Sequence, residues 1–318
     1  MSVLISKEGF LTTLQDLGRL GFRRFGINPN GAMDKSAVRL INILLGNDEN
    51  EAVLEMHFPA PEIVFEKEAI FALGGAEFGA KLDNENIENW RIYSAERGSV
   101  LKFTQKTFGN RAYLSVKNGF SAEKWLNSAS TNLKAQIGGF HGRVLKKGDR
   151  IFFNSNLSIR NFKADYRISR SLIPFYSKFP TVRIIENAEF DLLTALSQEV
   201  FLKEAFVILS DSDRMGFRLS GKPLFLLHEK ELVSSAVNFG TIQLLPEGQL
   251  IVLMADHQTS GGYPRLATVI PTDIPLLAQL GTNDKVAFHL VSLETAEDLL
   301  WEYEKDLNLL RVGCKFKN

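Results

Sequence analysis

The chain has 318 residues, 45% hydrophobic and 23% charged, and its 37 Lys and Arg balance 37 Asp and Glu. That composition belongs to a globular protein with room for two domains; zero net charge argues against a general nucleic-acid binder or a polybasic membrane anchor. A single cysteine, Cys314, rules out an intrachain disulfide and fits a reducing cytosol, and neither a secretory leader nor a membrane span is expected.

Taken in order, residues 10–34 form a glycine- and arginine-rich entry. Asp34 then caps a predicted helix, with Ala37, Val38, Leu40, Ile41, Leu44 and Leu45 at helical spacing and a stop at Gly46-Asn47. From Ala52 to Phe153 short strands are predicted: 53–58, 62–66, 69–73, 79–82, 91–95, 100–104, 112–117 and 150–153, the last fed by a turn at Gly148-Asp149. Between them, 125–143 is a long loop rich in Ser, Thr, Asn and Gly. Residues 154–180, polar and basic, mark a junction, which gives domains 1–165 and 166–318. Beyond it the pattern predicts a strand at 182–186, helices within 189–203 and a strand at 205–210. A hairpin follows (241–245 and 250–255 around Pro246-Glu247-Gly248-Gln249), then a helix capped by Thr272, a strand at 285–291, and a last helix. That helix carries Ala296, Leu299, Leu300, Tyr303, Leu307 and Leu310 on one face.

One pattern repeats. Asp16-x-x-Arg19-x-Gly21-Phe22-Arg23-x-x-Gly26 recurs as Asp211-x-x-Arg214-x-Gly216-Phe217-Arg218-x-x-Gly221, six identities at one offset. It implies an internal duplication: two similar β-rich domains. An Arg near an Asp and flanked by glycines suits a two-point grip on a carboxylate or phosphate, or an Asp–Arg brace within a turn; one copy in a site and one in support satisfies both. Asp34 either caps its helix or marks an anion site at the helix N-terminus. Gly74-Gly75-Ala76-Glu77-Phe78-Gly79-Ala80-Lys81 lacks the Gly-Lys-Ser/Thr of a phosphate loop. Five scattered histidines predict no metal, and no Gly-x-Ser-x-Gly elbow is present. The polar run Asp256-His257-Gln258-Thr259-Ser260, closed by Gly261-Gly262-Tyr263-Pro264, leaves the hairpin on a glycine hinge and is a candidate site wall.

Together these motifs resemble the family called allophanate hydrolase subunit 2, biotin-dependent carboxyltransferase domain or 5-oxoprolinase C-subunit. The matching residues are Thr12–Arg19, Gly31–Asp34, Leu45–Asn47, Asn110–Leu114, Ser130-Thr131, Gly142-Arg143, Gly148-Asp149, Asp213–Leu219, Gly240–Gln243 and Asp256–Pro264. The resemblance implies a mainly β chain with a few helices, built as two tandem cyclophilin-like β-barrel domains. It implies a cytoplasmic component of an ATP-dependent 5-oxoprolinase, with ATP as co-substrate bound jointly with a smaller B-type 5-oxoprolinase chain and a lactam-hydrolase-like A-type chain. The alternatives are a carboxyltransferase subunit served by carboxybiotin on another chain, and a regulatory partner of a kinase-inhibitor-like protein. On the matching positions the catalytic residues would be Asp16, Arg19, Arg214, Gln243 and Asp256. Asp34, Ser130, Arg143, His257, Gln258, Thr259 and Tyr263 would contact substrate. His257 stands where the family usually has arginine.

Overall fold

The computed structural model describes residues 1–153, 166–228 and 232–315. The chain is mainly β, with four α-helices among the described residues. It divides into two compact units. The first holds Met1–Arg19, Asn30–Pro174 and Lys305–Asn318; the second holds Leu20–Pro29 and Phe175–Glu304. The sequence places a junction at 154–180, of which 154–165 lie outside the described residues.

In the first unit, eleven strands among the described residues form two sheets. They are β1 (Ser2–Lys7), β2 (Thr12–Gln15), β3 (Val53–Met56), β4 (Glu62–Phe65), β5 (Ala69–Glu77), β6 (Ala80–Leu82), β7 (Glu85–Asn86), β8 (Ile92–Ala95), β9 (Val100–Phe103), β10 (Phe108–Val116) and β11 (Arg150–Phe152). One sheet runs β11-β1-β4-β9-β6-β7 and the other β2-β3-β10-β5-β8. Val3, Ile5, Ile63, Phe65 and Leu101 of the first share a single core with Leu14, Leu54, Phe71, Leu73 and Leu114 of the second. Period-2 alternation supplies these side chains, and burying them is the main favourable term in folding. Helix α1 (Lys35–Leu45) begins where the Asp34 carboxylate accepts from the Ala37 N–H at 2.9 Å and ends at Gly46 in the left-handed region (φ 67°). It packs on β5 at Gly74, where any Cβ would stand 2.7 Å from Ile41 Cγ2.

In the second unit seven strands close a barrel in the order β12 (Thr181–Glu186), β19 (Arg265–Val269), β16 (Thr241–Leu244), β17 (Leu250–Leu253), β14 (Gly216–Ser220), β13 (Phe206–Ile208) and β20 (Lys285–Leu290). Closure removes the exposed strand edges. β12 and β20 pair in parallel; the other barrel pairs are antiparallel. Phe201 stacks among Phe190, Phe206 and Phe288 with centroids 5.1 to 6.3 Å apart. A two-residue ladder outside the barrel joins β15 (Ser235–Ala236) to β18 (Ser260–Gly261). Helices α2 (Ala195–Lys203), α3 (Ile274–Ala278) and α4 (Leu293–Lys315) complete the described elements. Along α4, Ala296 and Leu307 are buried on the apolar face expected from the sequence, while Trp301 on another face is 76% exposed.

Two expectations are corrected. Asp273, not Thr272, occupies the N-cap of α3, and its side chain makes no cap bond. Its carboxylate instead accepts from Arg183, at 3.0 Å from Nε and 2.5 Å from Nη2, a stronger charge-assisted pair. The repeated Asp/Arg pattern also has no common local structure. Gly216–Ser220 is a barrel strand, whereas Gly21 and Phe22 lead into a single 3-10 turn, Arg23–Phe25. Partners elsewhere in the chain, rather than the shared residues, decide each conformation.

Candidate functional site

In the first unit Asp16, Arg19 and Ser130 come together where β2 ends. The Asp16 Oδ1 accepts from Gly18 N–H at 2.8 Å, Ser128 Oγ at 2.7 Å and Ser130 Oγ at 2.6 Å, and Oδ2 accepts from Ala129 N–H at 2.6 Å. Asp16 is 1% exposed. A buried carboxylate satisfied by four neutral donors is an organiser of loop structure. Arg19, also 1% exposed, donates to the Ser130 carbonyl and to Asn30 Oδ1 at 3.1 Å, and lies 5.1 Å over the Trp125 ring. Both charges therefore fix the 125–143 loop on β2. Gly138 is required there, because a Cβ would stand 2.3 Å from the Ser130 carbonyl. Nearby, burial raises the pKa of Glu51, with the negative charges of Asp48 and Asp16 adding and Lys124 opposing.

Two further predicted contacts in this unit are engaged in structure. Asp34 caps α1 at 0% exposure. Arg143 grips Asp149 through Nη1 at 2.7 Å and Nη2 at 2.9 Å and stacks 4.9 Å over Phe140. These bonds hold the Asp149 carboxyl below its ordinary range and push the Arg143 guanidinium up.

In the second unit, Arg214 and Asp256 form a bidentate pair: Nε to Oδ2 at 2.9 Å and Nη2 to Oδ1 at 2.8 Å, with side chains 9% and 12% exposed. Arg214 stands at the entry of β14 and Asp256 beyond β17, two strands that pair in the barrel. The backbone repeats the link, since the Asp256 N–H donates to the Arg214 carbonyl at 2.7 Å. Asn28 Nδ2 donates to the Asp256 carbonyl at 3.0 Å, and Arg23 donates to Asn238 Oδ1 and the Val237 carbonyl. His257 is buried, its Nδ1 against the Gln258 carbonyl. Gln258 and Tyr263 are exposed and Thr259 is half-buried.

Gln243 lies on β16 at 1% exposure. Its Nε2 donates to the Tyr263 carbonyl at 3.3 Å, and its Oε1 receives no bond from any described residue. Gln15 on β2 shares this state: Nε2 donates to Thr13 Oγ1 at 3.0 Å and the Thr131 carbonyl at 3.2 Å, and Oε1 has no donor among the described residues. No sequence signal pointed to Asn30 or Trp125 as partners of Arg19, or to the buried Tyr113–Glu55 bond of 2.9 Å behind the start of α1. Burial, and the nearby Glu55 and Asp34 charges, push the Tyr113 phenol well up. Among the described residues no cluster of three or more His, Cys, Asp or Glu could hold a metal, and no helix is long and apolar enough to cross a membrane.

This mainly β architecture, with its closed seven-strand barrel, is that of a carboxyltransferase domain. The chain belongs to the family described as "Carboxyltransferase domain, subdomain A and B", whose model matches residues 25–290. It is 38% identical over 306 residues to the 5-oxoprolinase C-subunit of Haemophilus influenzae, covering 96% of each chain. It is 30% identical to the urea amidolyase of Saccharomyces cerevisiae, covering 94% of this chain and 17% of that one. The crystal structure of Kluyveromyces lactis urea carboxylase superposes with a TM-score of 0.91 at 26% identity, covering 97% of this chain and 29% of that chain.

Proposed function

We propose that the chain is one component of an ATP-dependent 5-oxoprolinase that opens the lactam of 5-oxo-L-proline to L-glutamate. The observation that carries this reading is the end-to-end match to a 5-oxoprolinase C-subunit, 96% of both chains, against a match to under a fifth of a urea amidolyase. The reaction needs the lactam oxygen activated, water added to the carbonyl carbon, the ring C–N bond broken and the departing nitrogen protonated.

In this reading Arg214, its plane fixed by Asp256, presents a preset cation toward developing oxyanion charge. Asp16 and Arg19 hold the Ser128–Ser130 segment in place. Asp34, Ser130 and Arg143, each engaged within the first unit, are assigned the support of α1 and of the 125–143 loop; in the second unit His257, Gln258, Thr259 and Tyr263 are proposed substrate contacts. Of these, Gln258 and Tyr263 have the most exposed side chains in the family-signature stretch. ATP is a co-substrate held with B-type and A-type partner chains. The glycine run from Gly74 does not fit it: Gly74 and Gly75 lie inside β5, pressed by Ile41, Trp90 and Tyr113. No step is therefore assigned to ATP on this chain, and the cytoplasm is the proposed compartment.

A second reading, carboxyl transfer from carboxybiotin on another chain to urea or a similar amide, is favoured by the family model and by the K. lactis superposition. Reconstitution with the neighbouring chains of the complex separates the two. Glutamate and phosphate released from 5-oxoproline and ATP support the first reading. A demonstrably assembled complex that releases neither sinks it.

A further inference from the structure

Gln243, like Gln15, is a buried glutamine that leaves its carbonyl oxygen over. Its donor side is engaged: Nε2 donates to the Tyr263 carbonyl. Turning the amide over would set two carbonyl oxygens against each other, so this orientation is fixed. The atom without a partner among the described residues is Oε1, at a residue 1% exposed. An unpaired buried carbonyl is costly, and one in a native fold calls for a reason.

Two independent features set this position apart. The ladder between β16 and β19 slips here: Ile242 pairs Ala267 but Gln243 pairs Arg265, which leaves an extra residue in β19. Such bulges re-aim side chains beside sites. Gly261 also lies directly on the amide, where a Cβ would stand 2.7 Å from Nε2. The cover is thin, because among the described residues Ser260–Gly261 pairs only with the two-residue strand Ser235–Ala236. The nearest cation in the ladder, Arg265, is committed to Glu189 at 3.0 and 2.6 Å. What Gln243 offers is thus a neutral acceptor with its own donor already spent.

We infer that Gln243 Oε1 accepts the N–H of the substrate amide and so selects an unsubstituted lactam or urea nitrogen. This rests on the proposed amide chemistry, and it makes Gln243 an acceptor in the site rather than a donor to oxyanion charge. It is a specificity-determining residue, and the leftover oxygen is the cost of reading an N–H. A site built to bond such a group strongly disfavours the analogue lacking it.

The test compares wild type with Gln243→Met, which keeps the length and removes both polar ends. The melting temperature of each chain is measured first. Binding to the assembled complex is then measured for 5-oxoproline against its N-methyl derivative, and for urea against tetramethylurea. We expect the variant to melt within a few degrees of wild type, since removal of the unpaired buried carbonyl offsets loss of the bond to the Tyr263 carbonyl. We also expect its preference for the N–H member of whichever pair binds to fall by at least ~10-fold. A melting temperature lowered by several degrees with the preference intact overturns the inference: the amide would then serve to hold Tyr263, or a buried water. An unchanged preference in both pairs overturns it as well. If urea binds and 5-oxoproline does not, the lactam reading fails while loss of N–H preference in the urea pair still supports the role of Gln243.

Discussion

The two copies of the Asp/Arg pattern solve the same electrostatic problem in opposite ways. In the first unit Asp16 and Arg19 are both buried; four neutral N–H and O–H donors satisfy the carboxylate, while the guanidinium donates to the Ser130 carbonyl and Asn30 Oδ1 and covers an indole face. In the second unit Arg214 turns to Asp256, and the two charges satisfy each other. Asp211, the counterpart of Asp16, instead sits at the surface 3.2 Å from Arg218. A charge held by dipoles organises a loop, and a charge held by a counter-charge makes a fixed two-point fork. Identical residue types at identical spacing therefore do not imply identical work.

The largest effect expected from this difference is at Arg214. Arg214→Met removes the guanidinium fork from the largely buried Asp256 carboxylate and should cost about 3–5 kcal/mol. Adding Asp256→Leu should restore much of it. Denaturant unfolding of the three variants, read as a double-mutant cycle, checks this; additive losses would show that the pair is not coupled. Asp16→Asn comes next. It places an NH2 group against one of the Asp16 donors, for about 2–3 kcal/mol, and should free the Ser128–Ser130 segment to hydrogen exchange. No Arg19 variant should rescue it, because the Asp16 donors are neutral; rescue would mean that the first unit works like the second.

Gly261→Ala should cost about 1 kcal/mol by pushing the Gln243 amide off the Tyr263 carbonyl, and it should affect the second unit's unfolding only. The smallest change is Glu51→Gln. Burial raises the Glu51 pKa, so the folded state holds its proton more tightly than the unfolded chain does. Ionised Glu51 therefore lowers stability once pH rises above its unfolded pKa, most fully above its folded one. The variant should be more stable at pH 7, by under ~1 kcal/mol, and no more stable near pH 3. Urea titrations at the two pH values decide it.

Local signals are legible in the sequence, and distant ones are not. Helix α1 announces both its ends through Asp34 and Gly46, and the β16–β17 hairpin is marked by apolar runs around Pro246–Gln249. Strand β14 alternates in burial from Phe217 to Ser220, yet its glycine and arginine read as a motif and hide the strand. β19 goes unread too, although it supplies the bulge opposite Gln243. The candidate site residues follow from the family resemblance, but their partners lie far off: Ser130 is 114 residues from Asp16, and Asp256 is 42 from Arg214. Pairing over such distances is a product of strand order, which residue types do not encode singly. Nor could spacing show that Gln243 is left with an acceptor rather than a donor.

The discontinuous path of the chain has a consequence for its biosynthesis. The first unit includes the residues from Lys305 onward, and Arg311 there donates to Glu49, which also bonds Arg39 on α1. The second unit includes Leu20–Pro29, made long before the rest of it. On the ribosome neither unit can be finished in the order of synthesis. Residues from Lys305 onward are the last part of the first unit to emerge, so truncation within that helix is expected to weaken the unit whose strands were translated first.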